Sequence, residues 1–291
     1  MDNSSEIKKN EPISCDICFH RCRLNEGQTG FCHARINING ENISLNYGKI
    51  SSLALDPIEK KPLRHFYPGS SIVSVGSFGC NLSCPFCQNS EISLSDGAPI
   101  PKTKNYTPDE LVALCRQYED QGNIGIAFTY NEPLINHEYI LETAKLIRAE
   151  GMKTVLVTNG SVNRTILDEV GPYIDAMNID LKSYDRDYYA HVLHGNYAVT
   201  SDFIERALYY SHIELTTLII PGDNDSDDEM RSIASYISDL IKRSGKDIPL
   251  HVSRFFPRSK YSDRTPTPVE KVYHLAEIAR EYIPHVYEGN C

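Results

Sequence analysis

From residue 71 onward, short apolar runs alternate with longer segments whose apolar positions recur every three or four residues. That rhythm marks strands alternating with amphipathic helices. It predicts strands at residues 72–75, 124–129, 154–157, 176–181, 214–219 and 250–254. Helix starts are readable between them: Thr107 before Pro108 at a first helical position, Asn136 before HEYILETAKLIRAEG, the acidic residues 225–228, and Thr267 before Pro268. Gly151 is placed to close the second of these helices. The first sixty or so residues read differently, with a short β-like stretch at 36–47 turning at Asn39-Gly40.

Strands separated by helical crossovers form a parallel sheet, either open and doubly wound or rolled into an incomplete barrel. Polar residues cluster where each strand ends: Cys80 to Cys87, then Tyr130-Asn131-Glu132-Pro133, Thr158-Asn159-Gly160, Asp180 with Lys182, Pro221-Gly222, and Arg254. Such clusters at the C-terminal strand ends favour a partial, TIM-like (β/α)6 barrel in an α/β fold. No Gly-x-Gly-x-x-Gly occurs. The expected division is a small N-terminal four-cysteine module with its linker at 1–65, and the partial barrel at 66–291. The linker DPIEKKPLRHFYPG, rich in proline and aromatic residues, is expected to wrap along the barrel.

A chain of 291 residues with 41% hydrophobic content can bury a sizeable core. Its 29 basic and 39 acidic residues give a formal net charge of −10, which argues against nucleic acid or an anionic membrane as the main partner. The polar opening MDNSSEIKKNEP has no apolar signal core, and no run approaches the roughly 20 apolar residues of a membrane span, so a cytoplasmic location is expected. Seven of the nine cysteines fall into two metal-type clusters, so reduced thiolates are expected rather than disulfides. Cys115, inside a helical pattern, is expected to be core; Cys291 ends the chain, either at a natural stop or before a missing segment.

Cys80, Cys84 and Cys87 form a Cys-x3-Cys-x2-Cys run just after the first barrel strand. A closed zinc or iron–sulfur site takes four protein ligands, so three imply a centre with one open position. A zinc site completed by a distant histidine is the alternative. With Phe86 before the last cysteine, the run resembles the signature of the radical S-adenosylmethionine superfamily. The resemblance implies a [4Fe-4S] cluster whose open iron binds S-adenosylmethionine, an external low-potential electron donor, and a 5′-deoxyadenosyl radical that takes hydrogen from a substrate. Clusters reach about −700 mV only when charge, hydrogen bonding and burial are tuned.

The resemblance further implies that Phe86, Tyr130, Glu132, Thr158 and Asn159 contact the cofactor, Glu132 near its amino group. Strand alternation puts Asn178, Asp180 and Lys182 on one face, which a barrel turns inward, where cofactor groups would satisfy them. Arg254 is a candidate grip on a carboxylate. His251 is expected to be a satisfied core residue.

Cys15-x2-Cys18-x3-Cys22 with Cys32, then the linker, FTYNEP, IDLK, IIPGDND, HVSRFFP and VYEGN, are similar to pyruvate formate-lyase activating enzymes, and more closely to the radical enzymes of the AmmeMemoRadiSam system. Val157 and Thr216 depart from the activases, which carry an aspartate and a cofactor-binding arginine there. The four N-terminal cysteines have the ligand count of a closed site, favouring zinc as a fold staple over a second iron–sulfur cluster. The leading expectation is a radical enzyme acting on a small molecule or a protein residue. A glycyl-radical-enzyme activase and a non-catalytic iron–sulfur electron carrier are the alternatives.

Overall fold

The computed structural model describes residues 11–94 and 99–291; most of the polar opening segment, residues 1–10, lies outside the described residues. Five short strands come first: β1 (Ile13–Ser14), β2 (Arg23–Leu24), β3 (Arg35–Ile38), β4 (Glu41–Ser44) and β5 (Lys49–Ile50). They are followed by β6 (Ser52–Pro57), β7 (Ser71–Gly76), β8 (Lys104–Asn105), β9 (Asn123–Phe128), β10 (Lys153–Thr158) and β11 (Ala176–Asp180). The last three are β12 (His212–Ile219), β13 (Leu250–Arg254) and β14 (Val286–Gly289). Eight of them make one sheet in the order β14-β13-β12-β11-β10-β9-β7-β6. Every pairing in it is parallel except β6 with β7. This is the α/β, mostly parallel sheet of a partial barrel.

The hydrophobic pattern marks six of these strands and passes over two. Both are edges: β6 alternates half-exposed residues and ends at Pro57, and β14 is a four-residue VYEG. Edge strands lack the continuous apolar run of a strand buried on both faces. The helices start where the chain can satisfy their free N–H groups. Thr107 Oγ1 accepts from Glu110 N while the Glu110 carboxylate accepts from Thr107 N, ahead of helix Pro108–Gln117. Ser226 caps helix Asp227–Ser244, whose buried stripe is Met230, Ile233, Ala234, Ile237 and Leu240. Cys115 is fully buried in the main core.

The linker between β6 and β7 crosses the N-terminal end of the barrel. Pro62 O accepts from Asn178 Nδ2 of β11 at 2.9 Å, and the Arg64 and His65 amides donate to the Glu214 carboxylate of β12 at 2.8–2.9 Å. Glu214 is fully buried, and His212 and His251 lie 2.9 and 2.7 Å from its two oxygens. Burial alone would raise its pKa, but these four partners hold it down, from the usual 4.5 to about 2.

At the opposite end, the N-terminal module docks beside the loop that follows β7. Buried Arg35 forms a bidentate pair with Glu138 at 2.7 and 2.8 Å. Asn163 N donates to Ile17 O, and His20 Nε2 bonds with Asn81 O, each at 2.9 Å. The turn of the β3–β4 hairpin is Asn39-Gly40, with φ of +56° and +83°.

Because the folded-state pKa of Glu214 is depressed, its stabilisation is complete above pH 4.5 and fades as pH falls toward 2. Glu214→Gln should therefore cost on the order of 3 kcal/mol at pH 7 in chemical denaturation. The gap to wild type should narrow at pH 3; a gap independent of pH would contradict the linker clamp as described.

Candidate active site

The loop after β7 carries Cys80, Cys84 and Cys87, and the neighbouring strand end holds it in shape. Asn131 Oδ1 accepts from Ser77 N at 3.0 Å, and its Nδ2 donates to Phe78 O and Gly79 O at 3.2 and 3.0 Å. Gly79 has φ +88°, and a Cβ there would stand 2.5 Å from Cys32 O, so only glycine lets the two cysteine-bearing loops touch. All three thiols line one cavity of about 340 Å³ at the C-terminal strand ends. Burial, with Glu132 and Cys84 beside it, pushes the Cys80 thiol well up, and burial lifts Cys84 to about 12 against the pull of Lys182. Such thiols stay protonated until a cation displaces the proton, which couples metal binding to proton release.

Glu132 is 1% exposed and ties two strand ends together. Its Oε1 accepts from Thr158 Oγ1 at 2.8 Å and Leu134 N at 3.0 Å, and its Oε2 from Asn159 N at 2.8 Å. Burial is the larger effect, and its pKa rises to about 7 despite those donors. Asn159 Nδ2 donates to Asn81 Oδ1 at 2.9 Å inside the cysteine loop and lies 3.6 Å from Cys80 Sγ. Across the cavity Lys182 Nζ meets Asp180 Oδ2 at 2.8 Å. Burial would lower the Lys182 pKa, but Asp180 and Cys84 raise it, so the ammonium stays charged.

Tyr130 enters the barrel from a left-handed backbone, φ +74°, that costs about 1 kcal/mol in a residue other than glycine. Its hydroxyl donates to Asp56 Oδ2 at 2.9 Å, and Lys61 Nζ bonds the same oxygen at 3.0 Å while lying 4.8 Å from the Tyr130 ring centre. Lys60, Lys61 and Pro62 thus form the cavity floor.

The structure brings Cys80, Cys84, Phe86, Cys87, Tyr130, Glu132, Thr158, Asn159, Asp180 and Lys182 to one cavity, with Val157 and Thr216 also in its wall. Two expected cofactor residues are not in that wall. Asn178 is fully buried beneath it, with its amide committed to Pro62 O and its Oδ1 accepting from Thr216 Oγ1. Arg254 stands one residue past Ser253, which does face the cavity; its Nε donates to Thr267 O at 2.7 Å and its guanidinium lies over Phe256. Lys61 and Asn81 escape sequence reasoning, since lysine is almost never fully buried unless paired and the pairing of Lys61 with Asp56 needs the fold. A doubled lysine inside a proline-bearing linker, IEKKP, is the one signal available. A larger, shallow depression of about 640 Å³ lies around Tyr184, Arg231 and Arg243, away from the cysteines.

In the N-terminal module Cys15, Cys18 and Cys32 are buried and Cys22 half-buried, all as free thiols. Burial pushes Cys18 up to about 12, and the other three thiols add to it. Among the described residues, the set of three or more His, Cys, Asp or Glu ligand atoms that lie within 4.8 Å of one another is His65, Asp247 and His285; no three of these thiols do.

A family model described as the radical SAM superfamily matches residues 74–236, more than half of the chain. An uncharacterized protein of Methanocaldococcus jannaschii is 38% identical over 280 residues, covering 96% of this chain and 81% of its own. The pyruvate formate-lyase-activating enzyme of Clostridium pasteurianum is 24% identical over 166 residues, 56% of this chain and 67% of that one. Among solved structures, a radical SAM methyltransferase from Sphaerobacter thermophilus shares the fold with a TM-score of 0.55 at 18% identity, covering 78% of this chain and 68% of that one. With three thiols converging on a polar cavity at the strand ends of a partial barrel, the chain belongs to the radical SAM superfamily.

Proposed function

We propose that Cys80, Cys84 and Cys87 hold a [4Fe-4S] cluster whose open iron receives S-adenosylmethionine in the adjoining cavity, for hydrogen abstraction from a small molecule or a residue of a protein substrate. The observation that carries this is three thiols in one cavity wall facing the buried carboxylate of Glu132 and the half-buried ammonium of Lys182. When bound, the pair supplies a 5′-deoxyadenosyl radical after one electron from an external low-potential donor. Everything else falls to the chain. Glu132 has three of about four carboxylate lone-pair sites in use, leaving one to accept an N–H of the cofactor's amino group, which with its neighbouring carboxylate would occupy the open iron position. Lys182 and Asp180 offer a donor and an acceptor to carboxylate and hydroxyl groups. Phe86 and Leu82 supply apolar wall that limits water around the thiols.

A glycyl-radical-enzyme activase is the second reading, favoured by the similarity to the Clostridium pasteurianum activating enzyme. The narrower AmmeMemoRadiSam reading rests on the linker, FTYNEP and HVSRFFP motifs. A bare electron carrier would have no use for the Glu132 and Lys182 wall. Seven clustered metal-binding thiolates need a reducing compartment, so a cytoplasmic location is part of this reading. Among the described residues no helix is long and apolar enough to cross a membrane.

For the N-terminal set, thiols around tetrahedral zinc with bonds near 2.3 Å stand about 3.8 Å apart. The count of four ligands in one closed set favours the zinc staple over a second iron–sulfur cluster. A second cluster there would instead lie against the Cys80 loop, through the contact of Cys32 O with Gly79, as an electron relay.

Reconstituted, reduced wild-type protein should convert S-adenosylmethionine to 5′-deoxyadenosine, and Cys84→Ala should form none; equal turnover by both would refute the assignment. Glu132→Gln, compared with wild type at equal iron loading, should weaken S-adenosylmethionine binding by roughly tenfold or more through the loss of a charge-assisted bond, and should load iron less completely because the same bonds brace the cysteine loop. Iron analysis of anaerobically reconstituted protein should give about four irons with one zinc per chain; about eight irons would make the N-terminal set a second cluster.

A further inference from the structure

We propose that His65, Asp247 and His285 form a binding site for a divalent transition-metal ion of the zinc or nickel class, at the end of the barrel opposite the three-cysteine loop. The three residues arrive from separate segments that the fold brings together. His65 lies in the linker that crosses beneath the sheet, Asp247 in the turn before β13, and His285 just before β14. Since β13 and β14 run parallel to β7, all three sit at the N-terminal strand ends, a strand length of roughly 15–20 Å from the thiols.

The ligand atoms converge on one carboxylate oxygen. His65 Nδ1 stands 2.9 Å and His285 Nε2 3.6 Å from Asp247 Oδ2, and all three atoms lie within 4.8 Å of one another. Ligands bound at about 2.0–2.1 Å around one tetrahedral ion are about 3.3–3.4 Å apart, so the observed separations bracket that value and small side-chain rotations reach it. Two neutral imidazoles and one carboxylate are a donor set suited to zinc, nickel or cobalt, with positions left for water.

The surroundings favour binding. His65 Nε2 lies 2.6 Å from the Tyr287 hydroxyl, so with Nδ1 on a metal the other ring nitrogen carries the proton and donates to that oxygen, the support that ligating histidines usually have. Side-chain exposures of 25% for His65, 40% for Asp247 and 42% for His285 leave a path for an ion from solvent. The backbone of His285 is fixed by Leu250 N donating to its carbonyl at 3.0 Å, and that of His65 by Glu214. A metal there would lock the linker to the last two strands and hold the barrel floor in place. The competing reading is an ordinary hydrogen-bonded His–Asp–His cluster with no affinity for metal.

The test is anaerobic calorimetric titration of Ni2+ into holoprotein whose seven clustered cysteines already carry their metals. Wild type should bind one Ni2+ per chain with micromolar or tighter affinity and melt at a higher temperature when it is present. His285→Gln and Asp247→Asn should each weaken that binding by at least roughly tenfold and abolish the melting shift, while iron content and 5′-deoxyadenosine formation remain as in wild type. Equal affinity in wild type and either variant that keeps its iron overturns the proposal, as does the absence of saturable binding up to about 100 μM.

Discussion

Three thiols facing an open cavity are useful only if the loop that carries them cannot collapse onto itself, and the buried carboxylate of Glu132 is what prevents it. That one side chain accepts hydrogen bonds from its own turn, from Thr158 and from the Asn159 amide, so the ends of β9 and β10 cannot separate. Asn159 and Asn131 then brace the cysteine loop from two sides. The scaffold that positions the thiols is made largely of the groups that also line the cavity, so positioning and binding are not separable functions here. Its buried polar atoms are paired, which in a low-dielectric interior makes the arrangement stiff.

The barrel floor answers a different constraint. A partial barrel is open at its N-terminal end unless something covers it, and the linker does so by bonding in turn to β11 and β12 and by reaching β14 through His65. Glu214 gathers two linker amides and two histidines on one buried charge, while Lys61 and Asp56 face upward and meet Tyr130 from the cavity side. The linker is thus at once the floor of the active-site cavity and the seal of the barrel.

Much of this was legible in the chain. Strand-end polar clusters are visible because the strands feeding them are apolar runs, and the Cys80, Glu132 and Asn159 motifs fall at those ends. Depth was not legible. A period of two tells which face Asn178, Asp180 and Lys182 share, but not that the linker rises to meet Asn178 while the other two stay free for the cavity. Arg254 shows the companion difficulty: Ser253 takes the inward position, and a single step of strand register turns the guanidinium toward Thr267. The edge strands β6 and β14 were hidden because half-exposed edges lack a distinctive pattern.

The central claim is that the fourth position at the Cys80, Cys84 and Cys87 centre is filled by the amino and carboxylate groups of S-adenosylmethionine. Electron–nuclear double resonance on the reduced protein, with 15N- and 17O-labelled methionine groups in the cofactor, tests it most directly. Resolved hyperfine coupling from both labels to the cluster is the predicted result. A reduced cluster that shows neither coupling in the presence of saturating S-adenosylmethionine would contradict it.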